Sequence, residues 1–346
     1  LLSGRDALSN GAYNVYGGKS FIHEGLPTMA DVFLDNGYAT GHFGKWHLGG
    51  NHPYRPQDRG FQETVHFRGS CITAASDYWQ NDCFDDTYWH NGALKHYKGY
   101  CTDVFFDEAM KWMITCAEEN QPFFTYLALN APHFPHFVPE KFKEPYKKGN
   151  YPVQGFDSDI VGFYGMIANM DENMGLLDRM LEKNGLKDNT ILIFMTDNGG
   201  TAGVKVYNAG MRGSKCSLYE GGHRVPCFIR WPDGQLYSGK DIEALTQCQD
   251  ILPTLADLCG LPIPEDMPLD GSSLAPLLRQ EGQLVDRKLV VQYSWAPLDR
   301  KPQKWDGTVM WGKWRLVKKS ELYNVEQDLG QTHNVFNDYP EVVSTM

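Results

Sequence analysis

The 346-residue sequence contains no apolar run near the roughly 18 residues that a membrane span requires, which excludes a spanning helix and implies a soluble chain. Basic residues are in short supply: 32 Lys and Arg face 43 Asp and Glu, a formal net charge of -11. That balance excludes nonspecific nucleic-acid binding, since phosphate backbones select basic surfaces. An anionic substrate would have to be held locally, by Lys45, Lys215 or a bound metal working against the overall field. The eight cysteines form no C-x-x-C pair and no Cys/His spacing of the zinc type. Their scatter leaves room for one or two bridges in an oxidising compartment and equally for buried free thiols. Internal repeats and low-complexity tracts are absent, and the sequence opens at Leu1, so a signal peptide is not observable.

What is present reads as an α/β chain. Thr28–Asn36 has a Thr N-cap, helical apolar spacing and a stop at Gly37, followed by a strand through Ala39–Gly44. A helix from about Thr102 to Glu119 precedes the apolar run FFTYLAL, which has the length and composition of a buried strand. From Asp157 apolar residues recur three or four apart until Gly185, and the strand TILIFMT follows. Three helix-then-strand units predict a largely parallel sheet flanked by helices. A helix near Asp250–Cys259 leads into the Pro/Gly-rich connection LPIPEDMPLDG. Beyond residue 285 the runs KLVVQYS, TVMWGKWRLVKK and ELYNV predict a small antiparallel C-terminal subdomain, dividing the chain into 1–285 and 286–346.

Ligands of parallel sheets bind at the carboxyl ends of strands, where loops diverge. Three polar clusters fall at such ends: Lys45-Trp46-His47, Asn130-Ala131-Pro132-His133 and Asp197-Asn198-Gly199-Gly200. Asp197 and Asn198 offer adjacent hard oxygen donors suited to calcium or magnesium, although Asp-Asn-Gly-Gly is also a common turn. Lys45 and His47, two apart, project to one side of a strand and could both reach an oxyanion; the bland alternative is a surface lysine and a structural histidine. His133 faces the same choice, and His136 reads as a hydrogen-bonded loop residue. Lys215 lies in a glycine-flanked loop, where a lone lysine is ordinarily solvent-facing. HFPHFVPEKFKEPYKK and YWHNGALKHY carry aromatics and lysines that suit either a sugar or aryl subsite or a solvated, partly packed loop.

In order and spacing FGKWHLG, NAPHFPH, the strand ending in TDNGG, and RGSKCSLYEGGHRVP followed by FIRWP resemble the type I sulfatases (arylsulfatases) of the alkaline-phosphatase-like superfamily. LYNVEQDLGQTHNV is similar to the tail element of arylsulfatases, so the resemblance spans nearly the whole chain. It implies that Asp197 and Asn198 ligate Ca2+, ahead of Mg2+. It assigns sulfate oxygens to Lys45 and Lys215, sulfate contact and leaving-group protonation to His133, and a hydrogen bond to the nucleophile to His47. The family nucleophile is a formylglycine made from Cys or Ser in a C/S-x-P-S-R segment by a maturation enzyme. Leu1-Leu2-Ser3-Gly4-Arg5 resembles the close of that segment, so the nucleophile and the paired Asp ligands are expected upstream of residue 1, and the fragment is expected to be inactive. None of the eight cysteines sits in the C-x-P-S-R context.

The resemblance implies a sulfuric ester hydrolase acting on a small-molecule or glycan sulfate ester, exported to a periplasmic, extracellular or lysosomal destination. Two alternatives stay open at this level: a phosphate or phosphonate ester hydrolase of the same superfamily, and a non-catalytic binder of sulfated glycans.

Overall fold

Thr28 starts a helix for a local reason. Its Oγ1 accepts from the Asp31 N–H while the Asp31 carboxylate accepts from the Thr28 N–H at 2.8 Å, a reciprocal capping box on helix α2, Met29–Asp35, which follows the single turn α1, Ala7–Asn10. The chain then runs through a left-handed Gly37 into β1, Ala39–Lys45. The computed structural model describes residues 1–15, 20–147, 158–292 and 303–346. Asp157, at the expected start of the third helix, and Tyr293 and Ser294, at the end of KLVVQYS, lie outside the described residues.

Two units make up the described chain: Leu1–Asn189 with Cys248–Ser273, and Thr190–Gln247 with Leu274–Met346. The predicted division at 285/286 falls within the second. In the first, β1 pairs in parallel with β2, Glu63–Phe67, from Gly41↔Glu63 to Lys45↔Phe67, and with β5, Phe123–Ala128, from Ala39↔Phe123 to Gly44↔Ala128. A hairpin of β3, Thr87–His90, and β4, Ala93–His96, extends the sheet antiparallel, giving the order β4-β3-β2-β1-β5. YWHNGALKHY is therefore a hairpin rather than a loop. Asn91 and Gly92 both take positive φ, as a two-residue turn of the Asn-Gly type requires.

Helices cover both faces of this sheet. On one, Phe33 of α2 stacks on Phe124 at 4.4 Å. On the other lies α3, Cys101–Glu118, whose Trp112 packs on Phe43 and whose fully buried Phe105 packs on Phe67. Helix α5, Ser158–Lys183, follows the segment containing α4, Glu140–Lys147. It is tied to α3 by buried Asn169 and Asn173, which each donate to Asp103 Oδ1 at 2.7 Å. Helix α7, Ile251–Cys259, is buried almost all round and also belongs to this unit.

The second unit holds β6, Leu192–Met195, paired antiparallel with β7, Cys227–Arg230, and the short α6, Glu220–His223. After α8, Ala275–Leu278, come β8, Lys288–Gln292; β9, Gly307–Trp311; β10, Trp314–Val317; and β11, Glu321–Asn324. These four form the predicted antiparallel C-terminal sheet, in order β11-β10-β9-β8, before α9, Pro340–Thr345. Two expectations need correction. TILIFMT, expected in the parallel sheet, supplies β6, whose hydrogen-bonded partner is the antiparallel β7. FFTYLAL, expected to be buried, is half-buried along all of β5, because β5 ends the order of its sheet and is paired on one side only among the described residues. Among the described residues no helix is long and apolar enough to cross a membrane.

Candidate active site

In the first unit the carboxyl ends of three parallel strands open on one edge. Strand β1 ends at Lys45, so the strand-geometry argument for His47 stops short of it. Lys45 and His47 are half-buried on either side of fully buried Trp46, whose N–H donates to Phe67 O and whose indole Nε1 donates to Tyr54 O at 2.8 Å. Trp46 thereby locks the backbone that carries both polar side chains. Gly44 makes the close approach possible: at φ 115°, an added Cβ would lie 2.0 Å from Ala128 O on β5.

Two residues after β5 ends, Asn130 is buried, its Oδ1 accepting from the Ile72 N–H at 3.1 Å and its carbonyl accepting from the His133 N–H at 2.8 Å. His133 is half-buried and its Nδ1 lies 2.8 Å from Phe134 O. A carbonyl only accepts, so Nδ1 is the donor in this contact. β1 and β5 pair in parallel up to Gly44↔Ala128, so the segments carrying Lys45 and His133 leave adjacent strand ends. His136 behaves as the structural residue expected: its Nδ1 meets Asp159 at 2.5 Å and its ring packs edge-on against Phe163.

One cation escaped the sequence reading. Arg68 follows β2 directly, its guanidinium lying 3.5 Å over the Trp89 ring. Its one sequence signal is its place directly after a third parallel strand.

In the second unit Asp197 is exposed and Asn198 half-buried just beyond β6. The turn is fixed from behind: the Gly199 N–H donates to Gly222 O at 3.0 Å, and an added Cβ on Gly199 would lie 1.9 Å from Gly221 O. The Lys215 N–H donates to Gly200 O at 2.9 Å, so the predicted carboxylate, amide and lysine share one hydrogen-bonded backbone assembly. Buried Glu220 anchors that assembly to the C-terminal sheet. It accepts from Arg315 Nε at 2.7 Å and lies within 3.4 Å of His223 and Arg224. Burial pulls its carboxyl upward, but the hydrogen bond from His223 and the charge of Arg315 outweigh that and hold it at about 2.

One carboxylate and one amide oxygen form a hard donor pair suited to an oxygen-seeking divalent cation, and they are fewer than the roughly six to eight oxygens that calcium takes. No group of three or more His, Cys, Asp or Glu gathers as a metal site among the described residues. Two oxygens make at most a share of such a coordination sphere.

A parallel-cored sheet between helices, polar clusters at its strand ends and a small antiparallel C-terminal sheet define the alkaline-phosphatase-like α/β class. Within that class the chain belongs to the sulfatase family, whose model, described as Sulfatase, matches residues 1–261. A second model, N-sulphoglucosamine sulphohydrolase, C-terminal, matches residues 213–346. An uncharacterized sulfatase, YdeN, of Escherichia coli (strain K12) is 29% identical over 309 residues, covering 82% of this chain and 52% of that protein. An ulvan-active sulfatase of Formosa agariphila is 28% identical over 305 residues, covering 83% and 57%. The solved structure of Ps i-CgsB in complex with k-i-k-neocarrahexaose superposes with a TM-score of 0.86 at 25% identity, over 100% of this chain and 78% of that one. The chain spans about half the length of the curated relatives it matches.

Proposed function

We propose that this chain is the greater part of a calcium-dependent sulfuric ester hydrolase acting on a sulfated polysaccharide. The observation that carries the reading is the adjacency of the Lys45-Trp46-His47 and Asn130–His133 strand ends in one parallel sheet of a sulfatase-family chain. The ulvan-active relative and the neocarrahexaose-bound neighbour support a polysaccharide as the ester's alcohol.

Lys45 and Lys215 neutralise sulfate oxygens, as charge stabilisation of an oxyanion requires. His133, its Nδ1–H committed to Phe134 O, carries a second proton at Nε2 as the imidazolium and gives that proton to the departing alcohol oxygen. His47 hydrogen-bonds the nucleophile. Asp197 and Asn198 would supply two of the oxygens around a calcium ion, which when bound would supply positive charge for the sulfate oxygens. The nucleophile is a formylglycine installed by a maturation enzyme, and export to an oxidising compartment accompanies that processing.

The test uses the full-length matured protein assayed for release of inorganic sulfate from sulfated polysaccharide and from an aryl sulfate. Lys215→Ala should lower turnover by about 100-fold or more with an unchanged circular dichroism spectrum. Near-normal turnover would remove Lys215 from sulfate binding, and faster hydrolysis of the matching phosphate monoester would move the whole reading to the phosphate branch. Calcium should raise the melting temperature of the same protein by mass action, and Asp197→Ala should erase the rise.

A further inference from the structure

We infer that Cys83 and Cys101 are a disulfide pair that staples the base of the β3–β4 hairpin. Both side chains are buried, at 0% and 1% exposure, and both are thiols in this structure. Phe84 and Tyr100 form an isolated antiparallel bridge, flanked by hydrogen bonds from the Cys101 N–H to Cys83 O at 2.9 Å and from the Asp85 N–H to Gly99 O at 3.0 Å. That register sets Cys83 directly opposite Cys101. Facing residues of an antiparallel pair have Cα atoms about 4.5–5.5 Å apart, inside the roughly 4.4–6.8 Å window of disulfides. The Cys101 thiol lies within hydrogen-bonding reach of the Cys83 thiol and, with burial, pushes it far upward.

The local backbone is held in a form that a crosslink would stabilise. Cys83 and Asp85, neither a glycine, sit at φ 81° and 50°, on both sides of Phe84. Buried Asp86 maintains this shape by accepting from the Asp82 N–H at 2.8 Å, the Cys83 N–H at 3.0 Å and the Tyr88 hydroxyl at 2.8 Å. Two buried free thiols would act only as small apolar side chains with weak hydrogen bonds. A bridge between them closes the segment carrying the hairpin and restricts the unfolded chain.

The bond forms by exchange with a disulfide oxidant such as glutathione disulfide. One cysteine thiolate attacks an oxidant sulfur and expels the first glutathione thiolate. The other cysteine thiolate attacks the mixed disulfide and expels the second. Two electrons pass to the oxidant, the two thiol protons end on the released glutathiones, and one S–S bond is gained for the one broken.

The experiment equilibrates the purified chain in an oxidising glutathione buffer, denatures and alkylates it without reduction, and digests it with trypsin. Cleavage after Arg68, Lys95, Lys98 and Lys111 yields Gly69–Lys95, holding Cys71 and Cys83, and Gly99–Lys111, holding Cys101. The two peptides should appear joined, lighter by two hydrogens than their sum. The link should survive Cys71→Ser and vanish in Cys83→Ser. Alkylated Cys101, or a link made by Cys71, overturns the pairing. Reduction should lower the melting temperature of the oxidised Cys71→Ser chain by about 5–10 °C, and an unchanged value overturns the stapling role.

Discussion

At the scale of single residues, the candidate site depends on atoms that are missing as much as on those present. Gly199 follows the proposed ligands Asp197 and Asn198, and its lack of a side chain lets the turn close against Gly221 and Gly222. Gly199→Ala would bring a methyl group within 1.9 Å of a backbone oxygen. Backbone cannot yield as a long side chain can, so the turn itself must shift, at about 1–3 kcal/mol or more. Gly25→Ala, whose methyl meets open space, is the control. Urea unfolding should show the loss for Gly199→Ala alone, and equal midpoints for the two variants would show that the turn has room to relax. The sequence displayed this glycine as half of an ordinary turn signal. It could not display the partner backbone, Gly221 in the short helix α6, which lies 22 residues further along the chain.

At the scale of elements, helices were legible nearly to the residue where a cap and a stop were both written locally. Helix α2 is the clearest case, with Thr28 and Asp31 at one end and left-handed Gly37 beyond the other. The Thr28 hydroxyl also donates to Arg59 O at 2.9 Å, tying the helix start to a distant loop. Thr28→Ala removes both interactions and leaves a buried carbonyl without its donor, so it should cost about 1–3 kcal/mol, whereas Thr28→Ser should recover most of that. Thermal denaturation of the two variants decides the matter, and a Ser variant no better than Ala would assign the loss to packing of the methyl group. Strands were less legible because their partners are not local. Apolar runs at Phe123 and Leu192 look alike in sequence, but one joins a parallel sheet and the other an antiparallel pair. The Asn91-Gly92 hairpin carried a strong local signal that was outweighed by the aromatics around it, Tyr88, Trp89 and Tyr97.

At the scale of the whole chain, the two units should fail in acid at different pH values, because their buried titratable groups are pushed down for different reasons. In the first unit fully buried His42, stacked on Tyr126 at 5.4 Å, is pushed by burial down to about 3. His66 is held well below its ordinary value by burial first and then by His42, Arg68 and Arg55. Both imidazoles stay neutral in the fold while the unfolded chain takes up protons below about 6.5, so stability falls with pH from that point, by about 1.4 kcal/mol per pH unit for each. Asp86 opposes this. Burial raises it to about 6, so its proton uptake favours the folded state as pH falls through that value. Asp77 and Asp6, raised by burial as well, act with Asp86, whereas Asp58, held at about 2 by its hydrogen bond from Arg55, adds to the loss in acid. His42, which moves further than Asp86, and His66 carry the first unit's loss of stability from about pH 6.5 downward. In the second unit Glu220, at about 2, retains its full contribution above about 4.5 and loses it only below. Pulse hydrogen-exchange labelling after incubation at about pH 5 should therefore find β1 and β2 opened before β9 and β10. If the C-terminal sheet opens first, the Glu220–Arg315 pair is not the acid-resistant anchor that its geometry makes it, and the order of failure is set elsewhere.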